Sequence, residues 1–130
     1  MKKVMIVDDN PQNNRMYTRP VEREYQVDVV MKIVSVERLL RYKEYDYIVI
    51  DVMMPTQTLN SNDEMTSGFV LYRDILRSMN LQAKIIFWSR LDDDSFHSFW
   101  GDDIPQNCWF LHKTRTDNHL LLYIKSLERE

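Results

Sequence analysis

Tyr47-Ile48-Val49-Ile50-Asp51-Val52-Met53-Met54-Pro55 begins as a wholly apolar run and stops at a carboxylate. Apolar residues without polar alternation suit a strand buried on both faces, as in a parallel sheet. Three more runs have the same form. Val4-Met5-Ile6-Val7 stops at Asp8 and Asp9, Ile85-Ile86-Phe87-Trp88 stops at Ser89, and Cys108-Trp109-Phe110-Leu111 leads into His112 and Lys113. A fifth strand, β-branched and less sharply bounded, lies within residues 26–34.

The segments between these runs carry helical spacing. Residues 10–24 open with Asn10 as N-cap and Pro11 at the first helical position, and Pro20 is expected to bend this helix or end it early. A second helix is predicted from Ser35 to Tyr42. Phe69, Tyr72, Ile75, Leu76 and Met79 define a third, starting near Ser67. Asp92, Asp93 and Asp94 precede Phe96, Phe99 and Trp100, placing acids at the positive end of a fourth. Leu120, Leu121, Ile124 and Leu127 line a fifth, begun by Thr116 and Asp117. Strict βα alternation implies an α/β fold with a parallel sheet, helices on both faces and right-handed crossovers.

Composition sets the bounds. The 130 residues suit a single domain, 1–130, with no separate output domain. The hydrophobic share is 44%, the charged share 28% and the net charge −3, with lysines and arginines scattered, so neither nucleic acid nor an anionic membrane is indicated as a partner. The apolar run near the N-terminus is too short for a signal peptide, and no stretch approaches a membrane span of ~20 residues. The lone Cys108 excludes an intramolecular disulfide. A cytoplasmic protein is expected. The two glycines, Gly68 and Gly101, argue against a glycine-rich phosphate loop.

Active groups of such sheets collect at the carboxyl ends of the strands. That rule gathers Asp8, Asp9, Asp51, Ser89 and Lys113 at one edge. Taken singly, a strand-end aspartate also serves as a helix cap, a serine as a turn residue and a lysine as a solvated charge. Together, three carboxylates repel unless a cation joins them, and an all-oxygen cluster suits Mg²⁺ or Mn²⁺. A metal, a lysine and a hydroxyl would serve three phosphoryl oxygens, with a carboxylate to attack. His97, His112 and His119 lack metal-ligand spacing and are expected at the surface; Trp100 and Trp109 suit either core packing or a docking patch.

Val7-Asp8-Asp9-Asn10, Ile50-Asp51-Val52-Met53-Met54-Pro55, Ser89 and Phe110-Leu111-His112-Lys113 together resemble the receiver domain of bacterial two-component response regulators, along essentially the whole chain. The resemblance implies a flavodoxin-like, doubly wound five-stranded sheet of order 2-1-3-4-5. It implies Asp51 as phosphoacceptor, Asp9 as direct metal ligand, Asp8 as holder of metal-bound water and the Met53 backbone carbonyl as a further ligand. Ser89 matches the switch hydroxyl, Lys113 the phosphoryl-pairing lysine and Phe110 the aromatic that follows the switch. A histidine kinase or phosphotransfer protein would donate the phosphoryl group. A downstream protein, or a second copy, would meet the face of the fourth helix, fifth strand and fifth helix.

The chain departs from that pattern in places. Arg90 stands where a small residue is usual and is expected to modulate access to the site. Thr114 replaces the proline after Lys113, so a trans bond is expected there. Residues 56–66 form a long polar segment, a surface loop or a lid. The segment 101–107 lacks the usual small residues. The leading expectation is a phosphorylation-controlled signalling module that catalyses only its own phosphorylation and dephosphorylation. The alternative is a divergent receiver that binds partners without phosphorylation. Met53, two residues after Asp51, removes the general acid of an aspartate-nucleophile phosphatase, so turnover of external substrates is not expected.

Overall fold

The four apolar runs and the β-branched fifth strand pair as one all-parallel sheet in the order β2-β1-β3-β4-β5, in a computed structural model that describes residues 1–52, 67–91 and 93–129. The strands are β1 (Lys3–Val7), β2 (Gln26–Val30), β3 (Tyr47–Asp51), β4 (Lys84–Ser89) and β5 (Cys108–His112). The helices are α1 (Arg15–Glu24), α2 (Ile33–Leu40), α3 (Ser67–Leu71), α4 (Asp93–Trp100) and α5 (His119–Glu128). This is the flavodoxin-like order. Registers are in phase at the carboxyl edge: Val7 lies beside both Val30 and Ile50, Asp51 beside Trp88, and Ser89 beside His112.

Alternation along the central strands divides the core into two layers. Ile48, Ile50, Ile85 and Phe87 meet Ile33 and Val36 of α2, Phe69 of α3, and Phe96 and Trp100 of α4. Tyr47, Val49, Ile86 and Trp88 meet Tyr17 and Val21 of α1 and Leu120, Ile124 and Leu127 of α5. Among the described residues no helix is long and apolar enough to cross a membrane.

Local rules set the strands better than the helix starts. A 3-10 turn, Pro11–Asn14, precedes α1, and Asn10 makes no side-chain cap bond. Pro20 does not end α1, which continues to Glu24. A proline inside a helix costs ~3 kcal/mol; here the buried Tyr17, Thr18 and Val21 hold the same helix against the sheet. The second helix begins at Ile33 rather than Ser35, because Ile33 and Val36 both enter the core. The apolar face of the third helix is as predicted, but its chain widens into a π turn at Tyr72–Leu76 and tightens into a 3-10 turn at Arg77–Met79. Apolar spacing alone does not separate these forms, since the same side chains share the face.

Gly68 decides how closely α3 approaches β3. Its N–H donates to the Val52 carbonyl at 2.8 Å. A Cβ at this position would stand 2.7 Å from Val52 Cα and 2.9 Å from the Asp51 carbonyl oxygen. Both are backbone atoms of the segment that carries the central carboxylate, so neither yields easily.

Candidate functional site

Asp8 and Asp9 follow β1, and Asp51 ends β3, the neighbouring strand. Adjacent parallel strands in matched register bring these side chains together, and a carboxylate oxygen from each lies within 4.8 Å of the others. Asp8 is 1% exposed and Asp51 7% exposed. Asp8 is fixed by two donors: the Asn10 N–H reaches Oδ1 at 3.0 Å, and Asn14 Nδ2 reaches Oδ2 at 2.8 Å. Asn14 is itself buried and sits at the end of the 3-10 turn that precedes α1. Sequence reading missed Asn14, for which a buried amide one turn beyond an acidic pair is a weak signal.

Lys113 enters from the first position after β5. Its ammonium lies 3.3 Å from Asp51 Oδ2, and only 8% and 9% of the two side chains remain exposed. Its backbone N–H extends the ladder to the Ser89 carbonyl at 2.7 Å. No cis peptide occurs among the described residues, so the Lys113–Thr114 bond is trans as expected.

Ser89 is fully buried. Its Oγ accepts the Leu91 N–H at 3.0 Å. The Leu91 carbonyl in turn lies 2.9 Å from His112 Nδ1. The hydroxyl therefore braces the turn after β4 while its own proton can still be donated. Phe110 is half-buried, with its ring 5.4 Å from Phe96 and 6.4 Å from Phe69. Arg90 is exposed. Met53 and residues 56–66 lie outside the described residues.

Two site neighbours did not stand out in the sequence. The Trp88 ring centroid lies 4.5 Å from Lys113 Nζ. His119 accepts the Trp88 indole N–H and is half-buried, not at the surface as expected. His97 and His112 are exposed as expected, and Trp100 is core. Burial pushes the Cys108 thiol up to about 12, which makes it inert at neutral pH.

The donor set fits a small, hard divalent cation: three converging carboxylates, all oxygen, one of them already oriented by two hydrogen bonds. No sulfur or imidazole donor joins the cluster among the described residues.

No protein-family model and no curated protein matches the chain. Solved structures do. The receiver domain of the Francisella response regulator 1452 is 24% identical, with a TM-score of 0.74 over 99% of this chain and 98% of that one. The BeF3-activated DrrB receiver domain is 18% identical, with a TM-score of 0.71 over 100% and 99%. The response regulator TrrA of Thermotoga maritima, in complex with Mg²⁺-BeF, is 22% identical, with a TM-score of 0.69 over 98% and 99%. At such identities the likeness establishes the fold, and the structural neighbours are response-regulator receiver domains.

Proposed function

We propose that this chain is a phosphoacceptor receiver domain in which Asp51 takes a phosphoryl group and thereby switches a protein-binding face. The observation that carries the reading is the meeting of Asp8, Asp9 and Asp51 within 4.8 Å, with the Lys113 ammonium on Asp51. An Asp51 carboxylate oxygen supplies the electron pair to phosphorus. A P–O bond forms to Asp51, and the donor's bond to phosphorus breaks, its electron pair leaving with the donor. Mg²⁺ held by Asp8, Asp9 and Asp51 would offset charge on the phosphoryl oxygens. Lys113 moves from the carboxylate to the phosphoryl group. Ser89 turns toward the phosphoryl group and donates its hydroxyl proton to a phosphoryl oxygen; this movement of Oγ, and not the donation itself, breaks the bond it accepts from the Leu91 N–H. That release reaches α4 and Phe110, and a partner reads the new shape. The donor class is a phosphohistidine of a kinase or phosphotransfer protein.

Incubation with acetyl phosphate and Mg²⁺, followed by Phos-tag electrophoresis, tests this. Wild-type protein is expected to shift, and Asp51→Asn, which keeps the shape but removes the nucleophile, to stay at background. Label that persists in Asp51→Asn would refute Asp51 as acceptor. A wild type that takes no label, and shows no NMR response to beryllofluoride with Mg²⁺, would favour phosphorylation-independent partner binding. Arg90, exposed beside Ser89, is proposed to slow small donors. Arg90→Ala should label faster, and an unchanged rate removes Arg90 from the site.

A further inference from the structure

Lys113 follows β5, an edge strand, so little of the sheet holds its long side chain in place. What does hold it comes from β3 and β4. Trp88 is fully buried and presents its ring to the ammonium at 4.5 Å, while the same ammonium lies 3.3 Å from Asp51 Oδ2. A cation over an indole face is attracted by the ring quadrupole, and more strongly when desolvated.

The indole is fixed in turn. Its Nε1–H donates to His119 Nε2 at 2.9 Å. Because Nε2 accepts, Nδ1 carries the proton and donates to the Thr116 carbonyl at 2.7 Å. One neutral tautomer satisfies both bonds. Burial, opposed by the hydrogen bond to Thr116 and aided by Lys113 and His112, holds the His119 pKa below its usual value and favours that form. Tyr17 of α1 packs edge-on against the imidazole at 4.9 Å. Among the described residues, the titratable and charged groups facing His119 are thus Tyr17 from α1, His112 at the end of β5 and Lys113 just after it.

We infer that Trp88, held by His119, is a positioning residue for Lys113: its ring keeps the ammonium in place while the lysine exchanges the Asp51 carboxylate for a phosphoryl oxygen. The inference rests on the phosphoacceptor reading above. The carboxylate partner loses its charge when the acyl phosphate forms, whereas the ring's attraction is unchanged by the reaction. An aliphatic side chain at position 88 could fill the space but would offer no such attraction.

Two measurements test this. In the unmodified protein, the NMR signals of the Lys113 ε-methylene should be ring-shifted upfield in wild type and Trp88→Phe and return to ordinary values in Trp88→Leu. Acetyl phosphate labelling should then be about tenfold slower in Trp88→Leu, while Trp88→Phe, which keeps a ring, stays much closer to wild type. His119→Gln keeps an acceptor for the indole and should retain most of the wild-type labelling rate at neutral pH. On acidification the wild-type rate should fall as His119 protonates, because both ring nitrogens then donate, and His119→Gln should lack that component. Unshifted methylene signals in wild type, or equal labelling of Trp88→Leu and wild type, overturn the inference. If Trp88→Leu does not fold, an acid profile of His119→Gln identical to wild type overturns it. A wild type that takes no label overturns the phosphoacceptor reading instead, and the methylene shift then decides the positioning claim alone.

Discussion

Two tryptophans, one on each side of the sheet, are both buried but are held differently. Trp88 faces α1 and α5, and its indole N–H is bonded to His119. Trp100 faces α3 and β4 among Phe69, Tyr72, Phe87 and Phe99, and its Nε1 has no partner among the described residues. A buried, unpaired N–H costs about 1–3 kcal/mol. Trp88 is pinned by a directional bond beside the site; Trp100 rests on ring packing, which is strong but tolerant of rotation. The second layer also holds Phe69, Phe96 and Phe110, whose rings pack on one another. The proposed switch would need a fixed side to locate the phosphoryl group and a yielding side to report it, and the surroundings of the two tryptophans differ in that way.

Removing the centre of the yielding side should have the largest effect. Phe69 is fully buried and meets five other aromatic rings. Phe69→Ala should cost about 3–5 kcal/mol in urea unfolding, and a loss below 1 kcal/mol would show that the cluster is not packed as described.

A sharper test replaces each tryptophan by phenylalanine. Both changes delete the same atoms, but only Trp88→Phe also loses a hydrogen bond and strands His119 Nε2. Trp88→Phe should therefore be the worse of the two by about 1–3 kcal/mol. Equal losses would erase the distinction between the layers.

The smallest effect is one of pH. His119 is held below its usual value of 6.5 by burial. The unfolded chain takes up this proton at the usual value, whereas the folded chain resists it. The contribution is complete above the usual value and is lost as pH falls through the lower folded value. Unfolding curves at about pH 7.5 and about pH 5 should show a smaller loss in His119→Gln than in wild type. Identical losses would mean that His119 is not the titrating lock on the fixed side.

Much of this was legible in the chain. The apolar runs located four strands and β-branched composition the fifth, and the polar ends of the four named Asp8, Asp9, Asp51, Ser89 and Lys113, because strand ends of a parallel sheet share one edge whatever the loops do. Lys113 and Asp51 stand 62 residues apart, yet the topology rule alone placed them together. Reading failed where a contact crosses layers. Pro20 and Ser35 follow local helix rules that burial of Val21 and of Ile33 overrides. His119 looks like a surface histidine until Trp88, 31 residues away, is packed against it.

The sequence by itself determined the sheet, its helices and the set of charged groups at one edge, since these depend on local hydrophobic period and on where each run stops. Only the tertiary structure decided which groups hold the others in place. Asn14 on Asp8, Trp88 under Lys113, His119 on Trp88 and Gly68 against Val52 each depend on the distance between two elements, and no local pattern encodes a distance across the core.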